Sequence, residues 1–148
     1  MTSKLLPMQE RLLDGLHRDT MALAEEAQSY FADMQGYYAD VQGGRSNPDP
    51  VARTTCSIEC LKVTTRLMHV VAWVMMRRSV ENGETTSAQA HSIERRLGAS
   101  PSSDERDVDV LPTRARSFVE RSIAIHRRAS HLEAATTSDF AELGLVHP

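Results

Sequence analysis

Apolar residues recur at steps of three, four or seven over two long stretches of the chain, the spacing of an α-helix with one buried side. In the first stretch, residues 5–34, this side has Leu5, Leu12, Leu16, Leu23, Ala27, Tyr30 and Met34. In the last stretch the a/d positions of a helix that packs along its neighbours are Leu111, Ala115, Phe118, Ser122, Ile125, Ala129 and Leu132. We predict a first helix that stops at Gly36, unless Tyr37 and Tyr38 prolong it. We predict a last helix that runs from near Pro112 to about residue 135, before the Thr136–Ser138 breaker.

Between these stretches, residues 50–82 predict a helix that is hydrophobic over most of its circumference. The segment has no internal Gly or Pro, and it ends before Gly83, a residue suited to close a helix. Its apolar arc covers roughly 260°, against ~100° for an ordinary surface helix. Because two neighbouring helices cannot easily cover this arc, either the helix is central and the short helix after Gly83 folds back over the surplus, or a second copy of the chain contacts it. For the second alternative we hypothesise a homodimer interface, with the candidate residues Met68, Val70, Trp73, Met75 and Met76.

The remaining segments predict short connections. Residues 43–50 are rich in turn formers, and Thr86 and Gln89 have the spacing of a capping box that opens a short helix to about Leu97, closed by Gly98. Residues 99–109 form a polar connector, and no segment shows the sustained period of two that strands require. We therefore predict an all-α fold, with three long helices in an antiparallel bundle and a short helix after the second. Residues 1–135 are the single helical-bundle domain, and residues 136–148 are a loosely ordered C-terminal tail.

Composition agrees with one globular domain. The 148 residues are 41% hydrophobic and 25% charged, with a net charge of −3, and the low aromatic content of 5% argues against a β-sandwich or barrel. The longest apolar run, Leu67–Met76, is about half of what a bilayer-crossing helix needs. We expect no secretion signal at the N-terminus and no membrane association, and hence a cytoplasmic protein. Cys56 and Cys60 lie four residues apart on one helical face, so we predict reduced, buried thiols rather than a disulfide.

Motifs that carry chemistry are missing from the sequence. It contains no phosphate-binding glycine loop, no nucleophile elbow, and neither an HExxH nor a CxxC motif. His69 lies on the opposite side of the second helix from Cys60, so that one metal ion cannot easily contact both. We therefore predict no catalytic, cofactor-binding or metal-binding residues and a protein that is not an enzyme.

Arginine is the one chemical bias, since 15 of the 17 basic residues are Arg. Five of them lie on the last helix: Arg114, Arg116, Arg121, Arg127 and Arg128. A basic strip of this kind can neutralise phosphates, so an Arg-mediated DNA-associated regulatory protein is the alternative function, although Glu120 and Glu133 interrupt the strip. Arg66 is a separate case, because it lies beside the apolar arc. We predict that it pairs with a carboxylate, either Glu59 or one from another helix.

Two runs of the second helix, residues 59–73 and 77–84, resemble the alphaproteobacterial family of the regulator of CtrA degradation, RcdA. The positions that carry this resemblance are Glu59, Thr64, Thr65, Arg66, Leu67, Met68, Trp73 and Gly83. Residues 21–31 and 122–132 are also similar to that family, and the likeness covers most of residues 8–132. The chain departs from the family pattern at Cys60, Lys62 and Ala72, where the family has Ser, Arg and Ser.

This resemblance implies a small three-helix bundle, commonly dimeric and without enzymatic activity. It further implies an adaptor in regulated proteolysis, which helps to deliver cell-cycle regulators to the ClpXP protease. The partners implied are ClpX or ClpXP, a response-regulator-type protein and a cyclic-di-GMP effector. We therefore expect a protein-binding adaptor that forms a homodimer and uses no cofactor.

Overall fold

The computed structural model describes residues 7–42, 50–90 and 96–142, and the side chains of residues 8–33, 50–86, 88–89 and 96–136. Its helices are α1 (Pro7–Gln42), α2 (Pro50–Glu81), α3 (Ser87–Ala90), α4 (Glu105–Asp109) and α5 (Thr113–Glu142). The described residues contain no strand. The predicted all-α fold, with three long helices and a short helix after the second, is confirmed.

Helix α1 runs antiparallel to both other long helices. Arg78 near the end of α2 contacts Asp14 near the start of α1, and Arg121 and Arg128 of α5 contact Glu26 and Asp19 of α1 in reverse order. Helices α2 and α5, in contrast, run in the same direction. Arg66 donates to Ser122 and, further along both helices, Arg77 lies near Glu133. This parallel pair is possible because the long connection, residues 82–112, returns the chain to the start of α2.

The core lies along the axis shared by the three long helices. Its buried apolar residues come from the predicted stripes of α1 and α5 and from one side of α2: Leu13, Leu16, Leu23, Ala27, Val63, Leu67, Val70, Trp73, Val74, Ala115, Phe118, Val119, Ile125 and Ala129. Tyr30, Phe31 and Phe118 close one end of this core, with ring centroids 5.3 to 5.9 Å apart. The 3.6-residue periodicity therefore identified the buried side of α5 correctly. On α1 it identified Leu16, Leu23 and Ala27, but Leu12 is 53% exposed and its neighbour Leu13 is buried instead. The side chains of Leu5 and Met34 lie outside the described residues.

Two helix starts and one helix end follow from local capping. Thr86 and Gln89 exchange the two hydrogen bonds of the predicted capping box, at 3.0 and 3.1 Å. Gly83 has a φ of +77°, the left-handed conformation in which glycine closes a helix. Helix α4 was not predicted within the polar connector. Its N-cap Asp104 accepts a hydrogen bond from the Arg106 amide, a local signal that the sequence contained.

One predicted helix end was placed too early, since α5 continues through Thr136–Ser138 to Glu142. Helix α1 continues through Gly36 to Gln42, as in the alternative in which Tyr37 and Tyr38 prolong it. Thr136 is buried and its hydroxyl donates to the Leu132 carbonyl at 2.9 Å, so it serves the helix interior rather than a new cap. The short helix is described only over Ser87–Ala90, and Leu97 and Gly98 are not helical. The predicted 43–49 turn, residues 91–95 and the 143–148 end of the predicted tail lie outside the described residues.

None of the helices in the described part of the chain combines the length and the apolar character that crossing a bilayer requires.

Candidate functional site

Helix α2 buries three charged residues on the side that faces the protein and exposes several large apolar residues on the side that faces solvent. Glu59, Arg66 and Arg77 have no more than 4% of their surface exposed. Leu61 and Met68, in contrast, are 67% and 64% exposed. A surface helix ordinarily has the opposite arrangement. We call these the inner and outer sides of α2. Packing within one chain does not explain the exposed apolar residues of the outer side.

Arg66 is the centre of a buried polar network on the inner side. Its guanidinium donates to Ser100 Oγ (3.1 Å), Ser122 Oγ (3.2 Å), Ser103 Oγ (2.7 Å) and the Pro101 carbonyl (2.7 Å). The expected direct pairing with a carboxylate is wrong, because neutral oxygens take up all four of these contacts. Burial lowers the pKa of Arg66, and the nearby Glu59 charge opposes that shift.

Glu59 belongs to the same network through Ser103. The Ser103 hydroxyl donates to Glu59 Oε1, and Lys62 Nζ donates to Oε2 at 2.7 Å. The buried positive and negative charges are thus linked by one hydroxyl. Because an unpaired buried charge is costly, the network holds its three serines and two charges together as a unit.

Residues 97–103, called here the strap, cross the inner side of α2 and α5. His69 Nδ1 lies 2.9 Å from the Ala99 carbonyl, His126 Nε2 lies 2.6 Å from the Gly98 carbonyl, and the Leu97 amide donates to Glu133 at 2.8 Å. The approach is close, since a Cβ added at Gly98 would lie 2.5 Å from His69 Nδ1. Leu97 of the strap packs against the core, so the strap folds back over the bundle after Gly83. The short helix that was predicted to do so is described only over Ser87–Ala90, where it contacts α2.

The packing of the long helices decides which of the predicted interface residues are accessible. Val70 and Trp73 are 0% and 4% exposed in the core, so placing them in an intermolecular interface was wrong. Met68 and Met75 are 64% and 55% exposed, and Met76 is half-buried. The predicted interface therefore divides between the core and the outer side.

The residues that carry the family resemblance have different structural roles. Thr64 and Thr65 donate their hydroxyls to the Cys60 and Leu61 carbonyls, within their own helix. Leu67 and Trp73 are core residues and Gly83 closes α2, whereas Glu59 and Arg66 hold the strap. Met68 is the most exposed large apolar residue of this motif.

Both cysteines are free thiols, as predicted. Cys56 is buried and Cys60 is half-buried. A hydrogen bond with Cys56, and burial, raise the pKa of Cys60. A raised pKa disfavours the reactive thiolate, which agrees with a structural role for these residues.

An uninterrupted line of uncharged residues follows the outer side of α2. These residues, called here the outer face, are spaced alternately by three and four: Val51, Thr54, Ile58, Leu61, Thr65, Met68, Ala72 and Met75. Val51 is 70% exposed and Ile58 is 47% exposed. Sequence reasoning named only Met68 and Met75 of this set. The seven-residue interval that joins Leu61, Met68 and Met75 was the available signal.

A groove of about 710 Å³ lies beside the outer face, between α1 and α2. Its walls include Met21, Phe31 and Met68, and small alanine side chains such as Ala24 and Ala72 leave it open. Among the described residues, those that line it include no charged side chain, and Gln28 and Thr64 are the polar ones. An arrangement of this kind suits apolar side chains of another polypeptide.

Most arginines that suggested a basic strip have partners within the chain. Arg121 and Arg128 form ion pairs with α1 at 2.7 and 2.9 Å, and Arg114, seven residues before Arg121, lies over the Tyr30 ring at 5.4 Å. Arg116 donates to two backbone carbonyls at the end of α4. The hydrogen bond from Arg121 holds the pKa of Glu26 below its usual value. Arg114, Arg121 and Arg128 thus fasten α5 to α1, and Arg116 joins the start of α5 to the end of α4.

Within the described residues, no group of three or more His, Cys, Asp or Glu side chains is placed to hold a metal ion.

The molecule is a three-helix bundle in which one helix presents an uncharged apolar face to solvent. The family model described as "Protein of unknown function (DUF1465)" matches residues 6–144, and the chain belongs to this family. No curated protein and no solved structure matches the chain.

Proposed function

We propose that this chain is a non-enzymatic adaptor that binds other proteins and assists the regulated proteolysis of cell-cycle regulators by a ClpXP-type protease. The single observation that carries the protein-binding part is the outer face of α2, where apolar side chains at helix-packing intervals lie in solvent. Burying a side chain such as Leu or Met fully gains ~1.5–3 kcal/mol, so this face has much to gain from contact with a protein.

The outer face differs from scattered apolar residues on a surface because its residues are regularly spaced along one helix. Single exposed apolar residues are normal and need no explanation. A line of them from Val51 to Met75, next to an apolar groove, is instead typical of an interaction surface. The charges that would keep this side of the helix in water are absent from it and lie on the inner side.

The proteolytic part of the proposal is supported by the resemblance to the RcdA family along α2. It supplies the proposed partners, ClpX or ClpXP and a response-regulator-type protein, and the proposed setting, the cytoplasm of an alphaproteobacterium. The buried network of Glu59 and Arg66 is compatible with this proposal. It holds the strap on the inner side of α2, away from the outer face.

A binding assay with purified ClpX tests the proposal, in the presence and absence of the response-regulator partner. We expect the immobilised chain to retain ClpX, and we expect Leu61→Glu on the outer face to weaken retention by about tenfold or more. The matched control is Leu12→Glu, since Leu12 is 53% exposed on α1, away from the outer face. Circular dichroism verifies that both variants keep their helices.

Absence of ClpX retention under both conditions would contradict the proteolytic role. Equal retention by Leu61→Glu and the wild type would contradict the role of the outer face. Binding to duplex DNA that falls steeply with salt would instead support the DNA-associated alternative.

A further inference from the structure

We propose that a second groove, between α1 and α5, binds an acidic segment of a partner protein. One apolar side chain of that segment enters the groove, and carboxylates on either side of it contact the arginines around the groove. This surface is separate from the outer face of α2, so the inference does not depend on the proposed function.

The groove between α1 and α5 has a volume of about 270 Å³ and an apolar floor. Its lining residues are Leu12, Leu16, Arg128, His131, Leu132 and Ala135. Leu16 and Leu132 are buried, whereas Leu12 is 53% exposed, and Met8, one turn earlier on α1, is 64% exposed. Sites for drug-sized ligands have volumes of ~300–1,000 Å³, so this groove suits a single side chain better than such a ligand.

Three exposed arginines of α1 and α5 lie around this groove and form no ion pair with the described residues: Arg11, Arg18 and Arg127. Arg11 and Arg127 each directly precede a lining residue in sequence. The Arg18 guanidinium extends back along α1, because a Cβ added at Gly15 would lie 3.8 Å from its Nη2. The edges of the groove therefore carry positive charge.

The acidic residues of the same two segments have contacts elsewhere. Asp14 forms an ion pair with α2, Glu10 lies near the end of α2, and Glu133 accepts a hydrogen bond from the strap. Asp19 is paired with Arg128 at 2.9 Å, so this pair adds no net charge. The arginines around the groove are therefore left to attract the carboxylates of a partner.

The combination of positive charge and apolar surface identifies the class of partner. A second copy of the chain would place the same arginines against each other across a two-fold axis. A nucleic acid would contact the arginines mainly through phosphates and sugars and would leave Met8 and Leu12 in water. An acidic peptide with an apolar residue forms charge-assisted hydrogen bonds and also buries its apolar side chain.

Fluorescence anisotropy of a short labelled peptide, in which glutamates surround a central leucine, tests this inference. We expect saturable binding to the full chain. Ala135→Glu places a carboxylate in the groove and should raise the dissociation constant by about tenfold or more, because like charges across an interface repel. Ser130→Glu is the matched control, since Ser130 is exposed on the same helix but lies ~140° away from Ala135 around it.

Two further changes separate the contribution of charge from that of apolar contact. Arg127→Glu should raise the dissociation constant by about threefold or more, whereas Arg106→Glu, at an exposed position of α4, should leave it unchanged. A peptide with alanine in place of its leucine has the same charge and should bind more weakly, because it buries less apolar surface. Circular dichroism verifies that each variant keeps its helices.

Absence of saturable peptide binding would overturn the inference. So would a dissociation constant that Ala135→Glu and Arg127→Glu leave unchanged, or equal binding of the leucine and alanine peptides. Duplex DNA that binds this groove more tightly than the peptide would show a nucleic-acid surface instead, and a dimer that Ala135→Glu dissociates would show that a second copy occupies it.

The outcome is independent of ClpX binding. Leu12→Glu changes this groove and not the outer face, so it should weaken peptide binding while ClpX is retained. Leu61→Glu should have the reverse effect. Peptide binding without any ClpX retention would contradict only the proteolytic part of the proposed function.

Discussion

The inner and outer sides of α2 differ in whether the rest of the chain provides contacts for their side chains. On the inner side, three buried charged residues lie among serines, backbone carbonyls and neighbouring charges that other segments bring to them. On the outer side, Leu61, Met68 and Met75 are more than half exposed in the described part of the chain. Polarity alone therefore does not decide which residues of this helix are buried. A charged residue of α2 is stable in the interior where other segments of the chain provide hydrogen-bond partners for it.

The largest effect is expected at the centre of the inner side. Arg66→Met removes a buried cation and leaves Glu59 buried with fewer partners, so the free energy of unfolding should fall by ~3–5 kcal/mol. Urea denaturation measures this loss. Arg127→Met, at an exposed position of α5, is the control and should change stability by less than about 0.5 kcal/mol. A loss similar to that of the control would show that the network contributes little.

A pair of leucines compares the two sides with one substitution. Leu67→Ala, at a core position that is 4% exposed, should cost ~2–5 kcal/mol through a cavity and lost contacts. Leu61→Ala lies on the same helix but is 67% exposed, so at concentrations where the chain is monomeric it should cost less than about 0.5 kcal/mol. Thermal unfolding of dilute samples gives both values. Equal costs would mean that the outer side is covered within the monomer.

The strap provides a smaller effect with an internal rescue. In Gly98→Ala the new Cβ would lie 2.5 Å from His69 Nδ1, so one of the two segments must shift. We expect a loss of ~1–3 kcal/mol, as for other overpacked sites. In a His69→Ala background the same substitution should cost much less, because the ring is gone. Additive losses in the double variant would argue that the close contact is not the cause.

The smallest change in the free energy of unfolding is expected at the end of α2, where the carboxylate of Glu81 is partly buried. Burial, and repulsion from Glu10, raise the pKa of Glu81, and its Oε1 is buried without a hydrogen-bond partner in the described residues. Because the folded state binds this proton more readily than the unfolded chain, the carboxylate costs stability above the folded-state pKa. That cost disappears as the pH falls through this pKa.

Glu81→Gln should therefore stabilise the protein slightly at pH 7, by less than about 0.5 kcal/mol. The gain should vanish near pH 4, and unfolding curves recorded at both pH values measure it. Glu120→Gln removes the same charge from an exposed position of α5 and serves as the control. An unchanged gain at low pH would mean that protonation of Glu81 is not its source.

Local signals predicted most of the helices because they depend on neighbours in sequence. The capping box at Thr86 and the closing residue Gly83 act within a few positions, and both are present as predicted. The helix end placed at Thr136 was wrong, because Thr136 is buried and the propensity of this residue counts only weakly against a helix. At the end of α1, the alternative in which Tyr37 and Tyr38 prolong the helix is the one observed.

The candidate site was predicted only in part. The width of the apolar arc on α2 indicated correctly that part of it faces outward, and Met68 and Met75 were among the residues named. Val70 and Trp73 were assigned wrongly to the interface. A helical wheel shows the relative directions of side chains around one helix, but it does not show which of these directions other segments of the chain cover. The core that buries them is built by all three long helices, and no local pattern gives the relative placement of these helices.

The sequence by itself determined the helical class, the buried stripes of α1 and α5 and the excess of apolar surface on α2, because periodicity and capping are set by residues within one or two turns. Tertiary structure decided that α2 and α5 run parallel, that neutral oxygens surround Arg66 and that the outer face remains in solvent. The partners of Arg66 lie 34 to 56 positions away along the chain. No local pattern encodes such a contact, since it depends on where the long connection returns and on which side of α2 it crosses.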